Sequence, residues 1–240
     1  MAGVKKNRFE FEARVRYSEI DHRGTLTLPA LINYFQDCTT FHSEGLGLGS
    51  EFLQREKKAW VLSYWQIIVD RYPGMCEQVT VGTFATKFSG FIGNRNMYML
   101  GESGEQIACA NSIWAFMDME KGRPCRPKPE WISAYGTGEP LDMPYEDRKI
   151  LVPESFEDRE SFPVRKYHID TNEHVNNCQY VQMALEMLPR DTRIHQVRVD
   201  YKKSAVYGDI IYPGIAQEPE RTVVELRDGA GGPYAVVELK

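Results

Sequence analysis

Hydrophobic and polar residues alternate along much of the chain, which is the pattern of half-buried β-strands. Five such segments lie before residue 120, and five more follow residue 160. The predicted strands of the first half are FEFEARVRY, AWVLSYWQIIVDRY, EQVTVGTFATKF, NRNMYMLGES and EQIACANSIWAFMDM. Those of the second half are FPVRKYHI, IHQVRVDYKK, DIIYPGIAQ, RTVVELRD and YAVVELK. Glycine-containing turns separate several of them, one around Gly104 and one in the run RDGAGG, and these turns predict antiparallel hairpins.

Two segments follow the helical period instead. In the first, TLTLPALINYFQDC, apolar residues recur at helical spacing, at Leu28, Leu31, Ile32, Phe35 and Cys38. Thr27 is the predicted N-cap of this helix, and Gly45 and Gly47 are predicted to end it. The second helix, NNCQYVQMALEML, is predicted to begin after Asn176, which is a suitable N-cap residue. Its apolar positions indicate a core face.

The two halves repeat the same order of elements. The segment VRYSEID ends at Asp21, and VRKYHID ends at Asp170, 149 residues later. A short irregular piece, a helix and a strand follow each of them, and QIIVD (66–70) likewise parallels QVRVD (196–200). One long helix per copy cannot cover both faces of a parallel sheet. We therefore expect an α+β fold in which each copy packs one helix on a curled antiparallel sheet.

The composition changes between the two copies. Five prolines and two glycines fall between residues 127 and 153, where they interrupt any regular helix or strand. The sequence therefore predicts an N-terminal domain, a linker and a C-terminal domain, at residues 1–135, 136–160 and 161–240.

Three polar residues stand directly before the second helix, at Asp170, Asn172 and His174. Alternate residues of an extended chain point to one face, so this spacing predicts that the three side chains converge. The first copy keeps the aspartate but has Arg23 and Thr25 at the other two positions. A triplet needed for folding would occur in both copies. Its presence in one copy alone favours a functional role. The first domain is therefore expected to carry a degenerate site and the second domain the catalytic site.

Other roles fit the triplet less well than catalysis does. The spacing D-x-N-x-H resembles the start of an EF-hand, but the positions that require Gly and Glu hold Val175 and Val181. A zinc site lacks a partner ligand at suitable spacing, because His168 would face away on a strand. Cys178 lies in the first turn of the helix, where the helix dipole lowers thiol pKa values, and it remains an alternative nucleophile. Asn177 fits either a structural or a functional role.

Composition excludes several classes of protein. The chain has 240 residues, is 42% hydrophobic and carries a net charge of −5, which argues against a general nucleic-acid binder. No apolar run reaches the length of a membrane span, and the N-terminal residues show no signal-peptide pattern. The five cysteines are scattered without CxxC spacing. These features predict a cytoplasmic protein without disulfides, bound metal or cofactor.

The run D-x-N-x-H-V-N-N-x-x-Y, from Asp170 to Tyr180, resembles the signature of the acyl-acyl carrier protein (acyl-ACP) thioesterases. The segments WVLSYWQIIVDRYP and CANSIWAFMDMEKGRP are similar to that family too. The resemblance implies a tandem double hotdog fold and, because no plastid transit peptide is present, the bacterial branch. It implies Asp170, Asn172 and His174 as catalytic residues. Plant members carry Glu-Cys where this chain has Ser204 and Ala205. Because the cysteine is missing at that place, we expect the Asp170 carboxylate to be the reactive group.

The resemblance also implies the reaction, which is hydrolysis of fatty acyl-ACP to free fatty acid and holo carrier at the end of fatty acid synthesis. We expect Asn177 and Ser204 to contact the substrate, and Lys202 and Lys203, with Arg190 or Arg193 nearby, to contact the acidic carrier. An acyl-CoA thioesterase and a non-catalytic acyl-binding hotdog protein are the alternatives. Asp170 is either a general base acting on water or a direct nucleophile. The protein is expected to be a monomer or a homodimer.

Overall fold

The computed structural model describes residues 7–240. The chain divides into two compact units. The first contains the described residues through Ser63 together with Ile67–Tyr145, and the second contains Tyr64–Gln66 together with Glu146–Lys240. The division between the units falls within the predicted linker. The predicted domain limits at residues 135 and 161 remain a prediction.

The first unit consists of one long helix, two short helices and an antiparallel sheet. Its elements are β1 (Phe9–Arg14), α1 (Leu28–Gly45), α2 (Ser50–Arg55), β2 (Lys58–Val69, apart from its residues Tyr64–Gln66), β3 (Gln78–Ser89), β4 (Ile92–Leu100), β5 (Gln106–Asp118), β6 (Arg123–Pro124) and α3 (Pro129–Tyr135). The strand order is β1-β3-β4-β5-β2, and β6 pairs with the end of β5. The pairs β1–β3, β3–β4 and β4–β5 are antiparallel.

Helix α1 begins and ends where the sequence predicts. The Thr27 side chain accepts a hydrogen bond from the Ala30 N–H at 3.2 Å, which satisfies one of the unpaired donors of the first turn. The helix ends at Gly45, and Gly47 follows with a φ of 69°, a backbone conformation that suits glycine. The five apolar residues predicted from helical spacing are all buried. Helix α1 packs on β3 and β1.

The second unit repeats this plan with fewer residues. Its elements are β7 (Glu157–Asp158), β8 (Phe162–Pro163), α4 (Asn177–Leu185), β9 (Gln196–Tyr201), β10 (Ile210–Glu218), β11 (Arg221–Arg227) and β12 (Pro233–Leu239). The strand order is β9-β12-β11-β10-β7, all antiparallel, and β8 also pairs with β10. Helix α4 packs against β11 and β12. Both units therefore have the predicted α+β architecture, with the long helix against an antiparallel sheet.

Two local predictions were wrong. The segment FPVRKYHI is a strand only at Phe162–Pro163, and a 3-10 turn follows at Lys166–His168. The turn forms because the Arg165 N–H donates to the His168 ring Nδ1 at 3.0 Å, a contact that an extended strand cannot make. The proline-rich segment that begins near residue 127 was predicted to lack regular structure, but it contains helix α3. This helix has a proline in its first turn and buries Trp131 and Tyr135.

Candidate active site

The three predicted catalytic residues, Asp170, Asn172 and His174, lie on a tight turn, which we call the Asp170 turn (residues 169–175). Ile169 and Val175 pair as an antiparallel bridge, and the Asp170 N–H donates to the His174 carbonyl at 2.8 Å. The Glu173 N–H donates back to the Asp170 carbonyl at 3.1 Å. The extended conformation expected from the alternate spacing is therefore wrong. The chain instead brings the three polar residues together by turning within five positions.

The first unit contains the same turn, which we call the Asp21 turn (residues 20–26). Ile20 pairs with Leu26, the Asp21 N–H donates to the Thr25 carbonyl at 2.9 Å, and the Gly24 N–H donates to the Asp21 carbonyl at 3.0 Å. The internal repeat thus extends to individual backbone hydrogen bonds. The turn itself is a property of the duplicated fold, whereas the side chains on it differ.

Glu173 occupies a conformation that favours glycine. Its φ is 60°, and Gly24 at the matching position of the Asp21 turn has a φ of 75°. A residue with a Cβ atom in this left-handed region carries a cost of about 1 kcal/mol or more. Strain of this kind concentrates at functional sites, and here it lies between Asn172 and His174.

The two turn aspartates differ in how their carboxylates are used. In the Asp21 turn, Asp21 Oδ1 accepts from the Arg23 N–H at 2.9 Å and from the Thr25 N–H and hydroxyl, both at 3.2 Å. Burial alone would raise the pKa of Asp21, but these hydrogen bonds outweigh it and lower the pKa. Asp170 accepts only from the Asn172 N–H, at 2.8 Å, among the residues that the structure describes. Its half-buried carboxylate therefore keeps lone pairs for another partner.

Asn172 and His174 keep their side chains available as well. Asn172 is exposed and His174 is half-buried. Across residues 7–240, neither side chain forms a hydrogen bond with the protein. The turn thus presents a carboxylate, an amide and an imidazole with no structural hydrogen bond between their side chains. Such groups can act on a bound molecule without first breaking contacts of the fold.

A second segment runs beside the Asp170 turn, and we call it the facing segment (residues 204–206). His174 pairs with Val206 as an antiparallel bridge, and the Val175 N–H donates to the Ala205 carbonyl at 2.9 Å. Val175 and Ala205 are buried. Side chains alternate along paired strands, so exposed Ser204 belongs to the same face as His174. The structure therefore places the predicted substrate residue Ser204 on a segment paired with the Asp170 turn.

Helix α4 starts directly after the turn. The Asn176 side chain caps it by accepting from the Cys178 N–H at 2.9 Å, which confirms the predicted N-cap. Asn177 is the first helical residue, and its carbonyl accepts from the Tyr201 hydroxyl at 2.9 Å. The N–H groups of a first helical turn have no intrahelical acceptor and carry the positive end of the helix dipole. They suit a developing oxyanion.

Cys178 does not have the environment of a nucleophile. Its side chain is buried, and burial raises the pKa of the thiol to about 12. A thiol with that pKa is protonated at neutral pH, whereas the thiolate is the reactive form. The predicted helix-dipole effect is therefore outweighed by desolvation.

His168 has a structural role in the 3-10 turn at Lys166–His168. Its ring Nδ1 accepts from the Arg165 N–H, and at the matching position of the first unit the Glu19 carboxylate accepts from the Arg16 N–H at 2.8 Å. Burial and the nearby Arg165 charge lower the pKa of His168. The neutral ring that results is the form able to accept at Nδ1.

The predicted carrier residues are exposed, but two of them already have acidic neighbours. Lys202 forms an ion pair with Asp200, and Lys203 forms one with Asp228. Lys203 Nζ also lies 4.6 Å from the centre of the Tyr234 ring. The other predicted cations, Arg190 and Arg193, are exposed in the connection between α4 and β9. Neither has an ion pair in the described part of the chain.

Sequence reasoning missed two features of this region. The first is the left-handed backbone of Glu173. Gly24 occupies the matching position of the first copy, and a glycine there is a sequence signal for this conformation. The hydrogen bond from the Ala205 N–H to the Tyr180 hydroxyl, at 2.8 Å, joins residues 25 positions apart. No local pattern in the sequence indicates this bond, because it depends on tertiary folding.

Two general properties of residues 7–240 bear on the class of protein. No helix there is both long and apolar enough to cross a membrane. In the same residues, no three His, Cys, Asp or Glu side chains are grouped to hold a metal ion.

A long helix packed against an antiparallel sheet is the architecture of the hotdog proteins, and this chain contains two such units in tandem. The model of the acyl-ACP thioesterase N-terminal domain matches residues 6–135, and that of the acyl-ACP thioesterase C-terminal domain matches residues 153–229. The chain belongs to the acyl-ACP thioesterase family. The family resemblance inferred from the sequence is thereby confirmed.

Individual relatives agree with this assignment. The chain is 27% identical over 224 residues to a chloroplastic acyl-[acyl-carrier-protein] hydrolase of Cuphea viscosissima, a match that covers 85% of this chain and 53% of the relative. The chain thus spans about half the length of that curated relative.

Two solved structures share the fold. An acyl-ACP thioesterase from Bacteroides thetaiotaomicron superposes with a TM-score of 0.88 at 21% identity, covering 97% of each chain. The 12:0-ACP thioesterase from Umbellularia californica superposes with a TM-score of 0.87 at 18% identity, covering 99% of this chain and 98% of that one. The predicted tandem hotdog fold is confirmed.

Proposed function

We propose that the chain is a thioester hydrolase that cleaves fatty acyl-ACP to free fatty acid and holo carrier, ending fatty acid synthesis. The observation that carries the proposal is the contrast between the two turn aspartates. Asp21 accepts three hydrogen bonds within its own turn, whereas Asp170 accepts one in the described structure. Family membership supplies the substrate class.

Each residue of the site has a role that its position supports. Asp170 provides the carboxylate that acts on the thioester carbonyl, either through a water molecule or directly. Asn172 and His174 orient the water and the substrate, and the imidazole can deliver a proton to the departing thiolate. The N–H of Asn177 faces the developing oxyanion, because the first helical turn has no acceptor for it. Ser204, on the facing segment, contacts the substrate beside His174.

The carrier is the proposed partner. Carrier proteins are acidic, and exposed cations increase the encounter rate with an acidic protein. Lys202 and Lys203 already have carboxylate neighbours, so Arg190 and Arg193 contribute the larger unneutralised charge to the proposed docking surface.

We also propose a cytoplasmic location. All five cysteines lie in the described part of the chain, and none forms a disulfide. Thiols of this kind are typical of a reducing compartment.

One assay separates the proposal from its alternatives. Turnover is measured for an acyl group presented on holo carrier and, separately, on CoA. We expect a higher kcat/KM for acyl-ACP than for acyl-CoA. A preference for acyl-CoA would identify an acyl-CoA thioesterase, and binding of both without turnover would identify a non-catalytic acyl-binding protein.

A further inference from the structure

Tyr180 forms a hydrogen bond that the proposed chemistry does not use. Its hydroxyl accepts from the Ala205 N–H at 2.8 Å, and both residues are buried, with exposed fractions of 2% and 0%. Ala205 is the central residue of the facing segment. Its carbonyl accepts from Val175 in the Asp170 turn, while its N–H is held by helix α4 through Tyr180. One residue thus connects the turn to the helix that follows it.

The first unit has the same arrangement of backbone without this bond. There the Leu26 N–H donates to the Pro73 carbonyl at 2.8 Å, and Thr25 pairs with Gly74. Pro73 therefore occupies the position of Ala205. The correspondence continues one residue further, because the Gly74 N–H donates to Glu77 at 2.9 Å as the Val206 N–H donates to Asp209 at 3.0 Å.

Two residues change together between the units. Proline has no N–H group, so the position of Pro73 requires no acceptor. In the first unit, Leu31 stands where the second unit has Tyr180, by the same 149-residue offset that relates Asp21 to Asp170. The second unit has both the Ala205 N–H and the Tyr180 hydroxyl that accepts from it, whereas the first unit has neither a donor nor an acceptor at these positions. That matched change indicates a specific purpose for the bond.

A second tyrosine supports the same region. The Tyr201 ring meets the Tyr180 ring edge to face, with centroids 5.8 Å apart, and its hydroxyl donates to the Asn177 carbonyl. The first turn of α4 is thereby fixed to the end of β9, and the next turn is fixed to the facing segment. Tyr180 has little freedom to move away from Ala205.

We propose that Tyr180 is a positioning residue for the active site. Its hydroxyl holds the facing segment in register with the Asp170 turn, and the facing segment in turn fixes the backbone of His174 through the bridge to Val206. This inference rests on the proposed function for its effect on rate. Its structural part, the placement of His174, stands independently.

The test uses Tyr180→Phe, Ala205→Pro and the double variant in the full chain. Tyr180→Phe leaves the buried Ala205 N–H without an acceptor, so the facing segment shifts. Small displacements of a site reduce the rate of the chemical step, and we expect kcat to fall about 10- to 100-fold with KM changed less. In the double variant the N–H is absent, as it is at Pro73, and kcat should recover at least half of the loss on a logarithmic scale.

A readout independent of turnover accompanies the kinetics. The imidazole proton resonances of His174, assigned by comparison with His174→Ala, should shift in Tyr180→Phe and return towards their original positions in the double variant. An unshifted His174 resonance, a kcat of Tyr180→Phe within threefold of the unaltered protein, or a double variant no better than the single one would each overturn the proposal.

The test still gives a decision if one variant fails to fold or if the proposed function is wrong. If Ala205→Pro fails to fold, the kcat and the His174 resonance of Tyr180→Phe decide the question by themselves. If the unaltered chain hydrolyses no acyl thioester, the proposed function fails, whereas the His174 resonance still tests the positioning role of Tyr180.

Discussion

At the scale of single residues, one buried pair sets a pH limit on the stability of the first unit. His42 in α1 is buried, and its ring Nδ1 lies 3.0 Å from Arg95 Nη1. A guanidinium can only donate, so His42 must be the acceptor and its ring must be neutral. Burial and the Arg95 charge lower the pKa of His42 to about 4.

The direction of the pH effect follows from that lowered pKa. The unfolded chain binds the proton near the ordinary histidine value of 6.5, whereas the folded chain resists it until about pH 4. The contribution of neutral His42 to the free energy of unfolding is therefore fully present above pH 6.5. It is lost as the pH falls towards 4, and the loss is at most about 3 kcal/mol.

We predict that Tm falls over this interval and that His42→Gln reduces the fall, because the glutamine carbonyl can accept from Arg95 without titrating. Thermal melts at closely spaced pH values measure both effects. His22→Gln, at an exposed position of the Asp21 turn, is the matched control. An identical pH dependence in His42→Gln and the unaltered protein would show that His42 is not responsible.

At the scale of secondary-structure elements, helix α4 contributes its first turn to the site and its buried face to the core. Cys178 belongs to the core face, with a protonated thiol of pKa about 12. We predict that Cys178→Ala retains kcat within about threefold and costs roughly 1 kcal/mol of stability through lost packing. Steady-state kinetics and urea unfolding measure the two effects. A loss of several orders of magnitude in kcat, in a folded variant, would instead identify the thiol as the nucleophile.

The elements also show what the sequence could predict. Helix α1 was predictable because its cap, its apolar period and its terminal glycines are all local signals. The 3-10 turn at Lys166–His168 was not, because an alternating pattern does not reveal a side chain that bonds its own backbone. Helix α3 was concealed because prolines favour loops, although one of them lies in its first turn.

The site was predictable to a similar degree. The repeat comparison selected Asp170, Asn172 and His174, and the structure places them on one turn, but the spacing argument assumed an extended chain. The different use of the Asp21 and Asp170 carboxylates depends mainly on backbone N–H groups of the turn, which the sequence does not specify. The Thr25 hydroxyl, which His174 replaces in the second copy, is the one part of that difference visible in the sequence. The contact between Tyr180 and Ala205 depends on tertiary folding.

At the scale of the whole molecule, the net charge of −5 opposes an acidic carrier, so docking requires a local basic surface. We predict that the double variant Arg190→Glu/Arg193→Glu raises KM for acyl-ACP and changes KM for acyl-CoA much less. The effect should diminish at high salt, because exposed charges are screened over about 8 Å at physiological ionic strength.

The control for this prediction makes an equal change in net charge elsewhere. Arg126→Glu/Arg148→Glu alters two exposed arginines that are not assigned to the docking surface. An equal rise in KM in both double variants would indicate a general charge effect. Charge reversal at Lys202 and Lys203 is a weaker test, since Lys203 also pairs with Asp228, whose carboxylate accepts from the Ala230 and Gly232 N–H groups of a tight turn.

The duplicated turn supplies the most direct test of the central claim, which is that the second unit alone carries the reactive carboxylate. The measurement is kcat on one acyl-ACP substrate for Asp170→Asn and Asp21→Asn, with folding checked by thermal melts. Loss of a general base typically reduces the rate by about 10² to 10⁴, and we predict a loss of that size for Asp170→Asn. Asp21→Asn should keep kcat within about threefold and lose stability, because the bonds to its carboxylate in residues 7–240 all come from its own turn. Equal losses of kcat in the two variants would contradict the account.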